Sequence, residues 1–154
     1  MKIIFVCMAN IVRSFAAERM FKKALKENNR SDIEVSSAAI FDMDGKSADP
    51  VAVKILKEMG FEADGHFSKL LTEDIATDAD MIVVMEQHHK DSIIESYPDT
   101  QGKVFLLKPF SKGASYLNTA DMKGIRDPHN LSGYHYRLCF AEIYLALEGL
   151  IKCI

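Results

Sequence analysis

"FVCMANIVRS", residues 5–14, decides the fold. An apolar run ends at Cys7, and by Asn10, Arg13 and Ser14 the chain is polar and entering an amphipathic helical pattern. Open α/β proteins bind ligands at such a junction, outside the carboxyl end of a strand. Working outward, "KIIFV" (2–6), "MIVVM" (81–85) and "KVFLL" (103–107) are continuous apolar runs rich in branched residues, as in strands buried on both faces of a parallel sheet. "DIEVSS" (32–37) alternates Ile33 and Val35 with polar neighbours and suits an edge strand. Helical patterns lie between. "SFAAERMFKKALKEN" (14–28) spaces Phe15, Met20, Phe21, Ala24 and Leu25 along one face. Asp49 as N-cap, Pro50 at the first helical position and Gly60 beyond Met59 bracket a second helix, with Val51, Ile55, Leu56 and Met59 on its buried stripe. "EQHHKDSIIESYP" (86–98) predicts a shorter helix ending before Pro98, and the stretch from 132 to 151 a long one. This order predicts an α/β fold of three layers, α/β/α, with a four-stranded parallel sheet, right-handed crossovers and a phosphate-binding loop after the first strand.

At 154 residues and 48% hydrophobic composition, the chain has the material for one domain spanning 1–154. Net charge is −3, and the Lys and Arg are scattered without interleaved aromatics, which argues against nucleic acid as a partner. Nothing approaches the roughly 20 apolar residues of a membrane span. Lys2 followed by "IIFVCMANIV" superficially resembles a secretory signal, but Asn10 and Arg13 interrupt it early. Three widely spaced cysteines make no disulfide framework. A cytoplasmic location is expected.

The loop Met8, Ala9, Asn10, Ile11 and Val12 has the length to curl its N–H groups around an anion, with the following helix dipole adding positive potential. It has no Gly-Lys-Ser/Thr ending and no G-x-G-x-x-G pattern. Its distinctive parts are a thiol before it and a guanidinium after it. Arg13 can grip two oxygens of a tetrahedral oxyanion. With the loop amides it favours the thiolate of Cys7, poised for in-line attack on phosphorus and a phosphocysteine intermediate. Ser14 is placed to hydrogen-bond the sulfur. Asp127, oriented by Pro128 in "IRDPHN", is the candidate acid for the leaving oxygen and the base for the water that follows. The scheme needs no metal and no cofactor.

Cys, five residues, then Arg-Ser at the first strand-to-helix turn, with Asp-Pro near the C-terminus, resembles the low-molecular-weight protein tyrosine phosphatases from end to end. The resemblance implies that Cys7 is the nucleophile, Arg13 the phosphate binder and Asp127 the general acid. It also implies that Asn10, Ser14, Ser37 and His66 support the loop, and that the partner is a phosphorylated protein or small phosphate ester. The chain departs from the family pattern in several places. Ala9 stands where Gly is usual, and its methyl group would limit a positive φ there. Val12 replaces a second Cys, Phe15 replaces Pro, Phe41 is the one aromatic in "AIFDMDGKSADP", and His129 and Asn130 follow Asp-Pro.

Phosphotyrosine protein is the leading substrate. Phosphoarginine hydrolysis, thioredoxin-coupled arsenate reduction and a weakly active phosphoprotein-binding module are the alternatives. Cys139 and Cys153, on the predicted last helix, stand about 21 Å apart along its axis, cannot bridge, and are assigned to the core. His88 and His89 are assigned to the surface. His129 and His135 are within reach of the site, and Tyr134 and Tyr136 are placed in packing or at the mouth.

Overall fold

The computed structural model describes residues 1–112 and 124–154. The elements are β1 (Lys2–Cys7), α1 (Arg13–Glu27), β2 (Glu34–Ala39), α2 (Pro50–Glu58), α3 (Glu73–Asp78), β3 (Met81–Val84), α4 (Gln87–Ser96), β4 (Val104–Leu106) and α5 (Gly133–Leu150). Four strands form one parallel sheet in the order β2-β1-β3-β4. β1 is central, with Cys7 level with Ala39 and Val6 level with Val84. The carboxyl end of β1 therefore opens between two neighbours, where the loop to α1 begins.

Alternation along β1 assigns its side chains to two cores. Ile3, Phe5 and Cys7 join Phe15, Phe21, Phe140 and Ile143 beneath α1 and α5. Ile4 and Val6 join Ile82, Val84, Ala76 and Ile93 beneath α3 and α4. Phe5, Phe15, Phe21 and Phe140 are fully buried, each worth about 1.5–3 kcal/mol of transfer free energy. Helices thus cover both faces, as the strand–helix order predicts.

Four expectations need correction. β4 is the second edge strand, and its Phe105 and Leu106 are half-buried because only β3 flanks it. Val51 is exposed, so α2 buries Ala52, Ile55 and Leu56 instead of the expected stripe. α3 is a further helix with no apolar period: Ala76 is its one buried residue, so the sequence offers little to detect. α5 ends at Leu150, so Cys139 is buried in the helix while Cys153 is exposed beyond it rather than packed in the core. Among the described residues, no helix is long and apolar enough to cross a membrane.

Candidate active site

The loop from β1 to α1 is shaped by what its carbonyls accept. Cys7 O accepts from Ile40 N at 3.0 Å, Met8 O from Phe41 N at 3.0 Å, Ile11 O from Asp49 N at 3.0 Å and Val12 O from Ala16 N at 2.9 Å. Ser68 Oγ donates to Ala9 O at 2.8 Å, and His66 Nε2 meets Asn10 O at 2.7 Å. All six carbonyls are thereby anchored in the surrounding structure. No hydrogen bond from the amides of Met8 to Val12 is found among the described residues. Backbone N–H groups need acceptors, and an anion held at this loop can supply them.

The positive φ this curl requires falls on Asn10 (φ 54), not on Ala9. The methyl group of Ala9 therefore costs nothing at that position, contrary to the expectation from sequence. Asn tolerates the left-handed region better than most residues. Its buried side chain is also fully used: Nδ2 donates to Ser14 Oγ at 2.9 Å and Ser37 Oγ at 2.8 Å, and Oδ1 accepts from Lys69 N at 3.1 Å. Ser37 in turn donates to Glu18, which also accepts from Lys22 Nζ at 2.5 Å. Burial works to raise the Glu18 carboxyl, but Lys22 and Ser37 hold it below the ordinary glutamate value. Glu18 therefore stays an acceptor and orients the Ser37 hydroxyl, which in turn orients Asn10.

Cys7 Sγ lies 3.0 Å from Ser14 Oγ. Because the Ser14 oxygen already accepts from Asn10, its own proton is free to go to the sulfur. His66 is buried and stacks on Phe15 with ring centroids 4.3 Å apart. Burial lowers its pKa, so the ring is neutral near pH 7 and its Nε2–H donates to Asn10 O.

Arg13 is 2% exposed. Nη1 donates to Glu86 at 2.6 Å and to Ile125 O at 2.9 Å, and Nη2 to Asp127 at 3.1 Å. Burial opposes its charge, but Cys7, Asp127 and Glu86 outweigh it and raise the pKa above the ordinary arginine value. Sequence reasoning did not find Glu86. It sits just past β3, at the carboxyl end of the strand beside β1, which is where ligand sites of open α/β sheets form. Gly124 lets the 124–127 segment reach this spot, since a Cβ there would stand 2.4 Å from Met85 O and 2.7 Å from Glu86 Cα.

Cys7, Ala9, Ile11, Val12, Arg13 and Asp127 line a cavity of about 170 Å³, joined by Met43, Lys46 and His129. Met43 and Lys46 lacked any sequence signal. Phe41 is 61% exposed, tied through its backbone to Met8. His129 reaches the cavity, whereas His135 is exposed and hydrogen-bonded to Ser132. Tyr134 is exposed, and Tyr136 is buried with its hydroxyl on Asp49 at 2.8 Å.

His88 is exposed, but His89 is fully buried, which overturns its assignment to the surface. Together with Glu86 these histidines bring potential ligand atoms within 4.8 Å of one another. His89 Nδ1, however, accepts from Glu86 N at 3.2 Å, which leaves the proton of the neutral ring on Nε2. That nitrogen offers no lone pair, so the donor set does not fit a metal in this arrangement.

Nearly the whole chain, residues 2–154, matches the family described as "Low molecular weight phosphotyrosine protein phosphatase". The probable low molecular weight protein-tyrosine-phosphatase AmsI of Erwinia amylovora is 34% identical, over 96% of this chain and 90% of its own. The crystal structure of a low molecular weight protein tyrosine phosphatase from T. tengcongensis is 30% identical, with a TM-score of 0.89 over 100% of this chain and 99% of that one. A mutant of the arginine phosphatase YwlE with a phosphorylated active-site serine is 32% identical, with a TM-score of 0.86 over 99% of this chain and 94% of that one. Sequence, fold and the match over residues 2–154 agree: this chain belongs to the low molecular weight protein tyrosine phosphatases, and is a hydrolase of that family.

Proposed function

We propose that the chain hydrolyses phosphotyrosine in proteins through a phosphoryl intermediate on Cys7. The observation that carries this reading is the loop whose carbonyls are all anchored outward while Cys7 Sγ receives the Ser14 hydroxyl. The substrate phosphoryl group binds the loop amides and Arg13. The Cys7 thiolate attacks in line, the Sγ–P bond forms as the P–O ester bond breaks, and Asp127 gives its proton to the departing phenolic oxygen. Water then loses a proton to Asp127 and attacks phosphorus. The Sγ–P bond breaks, inorganic phosphate leaves, and the thiolate returns with the Ser14 hydrogen bond stabilising it.

Glu86 holds one side of the Arg13 fork, so the guanidinium is oriented before substrate arrives, and the phosphoryl group competes only with Asp127 for Nη2. Ala9, Ile11, Val12 and Met43 give the cavity an apolar wall suited to an aromatic ring. Lys46, which lines the same cavity as Arg13, adds positive charge that disfavours the cationic guanidinium of a phosphoarginine leaving group. Thioredoxin-coupled arsenate reduction is disfavoured because burial pushes the Cys139 thiol up to about 12, far from the reactive range. The three free cysteines fit the cytoplasm.

The deciding experiment is a panel of phosphotyrosine and phosphoarginine peptides assayed with wild type, Cys7→Ser and Asp127→Ala. The expected result is kcat/KM highest for phosphotyrosine, loss of turnover in Cys7→Ser, and slowed leaving-group departure in Asp127→Ala. Preference for phosphoarginine would reassign the substrate. Tight peptide binding without turnover by the wild type would make the chain a binding module.

A further inference from the structure

Asp127 is half-exposed on a turn, and its carboxylate is held from one side by Arg13. That contact is the one a bound phosphoryl group competes for. The other side is held differently. The His129 backbone N–H donates to Asp127 Oδ1 at 3.0 Å, and the His129 ring places Nδ1 2.9 Å from Asp49 Oδ2. Asn130 closes the turn at φ 63, with Leu131 N donating to Pro128 O at 2.9 Å.

Asp49 is the fixed point. It is buried, caps α2 through Val51 N at 2.8 Å and Ala52 N at 3.3 Å, and takes the Tyr136 hydroxyl at 2.8 Å. Its backbone N–H donates to Ile11 O of the phosphate loop at 3.0 Å. Burial works to raise its carboxyl, but the bonds from Tyr136, Val51, His129 and Ala52 hold it below the ordinary aspartate value. An ionised carboxylate only accepts, so the His129 ring carries its proton on Nδ1.

We propose that Asp49 and His129 form a clamp that registers the Asp127 turn on the phosphate loop, making His129 a positioning residue for the proton-donating carboxylate. The clamp rests on the reading of Asp127 as general acid. It keeps Asp127 over the leaving oxygen after the phosphoryl group has taken the Arg13 contact. A small displacement of that carboxylate is costly to catalysis, up to about 100-fold in rate.

The test compares His129→Ala, His129→Asn and His129→Gln, with and without Asp127→Ala. Phenyl phosphate needs protonation of its leaving group, and para-nitrophenyl phosphate needs it less. Asn can place an N–H where Nδ1 stands, whereas Gln reaches the position of Nε2. The clamp predicts that His129→Ala lowers kcat on phenyl phosphate by about 10- to 100-fold, less on para-nitrophenyl phosphate, with competitive inhibition by inorganic phosphate unchanged. His129→Asn restores most of the loss and His129→Gln does not. In the Asp127→Ala background, His129→Ala adds nothing.

Unchanged kcat in His129→Ala, rescue by Gln instead of Asn, or a loss that persists without Asp127 would each overturn the clamp. If Asp127→Ala alone shows no leaving-group-dependent loss, the general-acid reading falls, and the clamp with it.

Discussion

Replacing Asn10 by Ala removes one side chain that serves three roles. The left-handed backbone at φ 54 costs an alanine about 1 kcal/mol that Asn partly escapes. The bonds to Ser14, Ser37 and Lys69 N are each worth about 1 kcal/mol net. The sum is about 4 kcal/mol, a large part of the 5–15 kcal/mol typical of a small protein. Asn10→Gly relieves the backbone strain and should recover about 1 kcal/mol of it. Urea unfolding at constant slope measures both variants, and competitive inhibition by inorganic phosphate reports the loop. Weaker phosphate binding is expected in both, because Ser14 loses the partner that directs its hydroxyl at Cys7. An Asn10→Ala protein within about 1 kcal/mol of wild type, with unchanged phosphate inhibition, would refute the role assigned to this residue.

Gly124→Ala should lower kcat while leaving the sheet intact, since the new methyl group meets Met85 O and displaces Ile125 and Asp127 together; steady-state kinetics with thermal unfolding check this. Glu86→Gln keeps the shape but removes the charge that orients Arg13, and should weaken inhibition by phosphate by about tenfold, as expected when a part-buried charged hydrogen bond becomes a neutral one. His89 carries an acid sensitivity. Burial and Arg13 hold its pKa at about 3, below the roughly 6.5 of an unfolded histidine. The unfolded chain thus takes up a proton that the native protein refuses. The stability is complete above about pH 6.5 and falls by about 1.4 kcal/mol per pH unit as the solution is acidified towards the folded pKa. Unfolding measured at pH 7 and 5 should differ by about 2 kcal/mol less in His89→Gln than in wild type, and an equal difference would contradict it.

The legible parts of this molecule were those written in local pattern. The apolar runs announced the strands, Asp49-Pro50 announced α2, and the spacing of Cys7, Arg13 and Ser14 announced the loop. Partners that act across the fold left little trace. Glu86, Ser68 and Lys69 reach the site through contacts made only once the sheet has formed, two of them through backbone atoms or a lone hydroxyl. His89 was misplaced because neighbouring histidines among polar residues look solvent-facing, whereas its ring tucks back onto the start of α4. Ala9 drew attention that belonged to Asn10, since sequence shows a missing glycine but not which residue carries the turn.

The most direct test of the covalent pathway is rapid acid quenching of wild type during its first turnover of a phosphotyrosine peptide, followed by mass mapping of the loop peptide. The account predicts a phosphoryl group on Cys7 that forms as fast as tyrosine is released and decays as phosphate appears. Tyrosine and phosphate released together with no adduct on Cys7, in a protein whose Cys7→Ala variant still turns over, would contradict it.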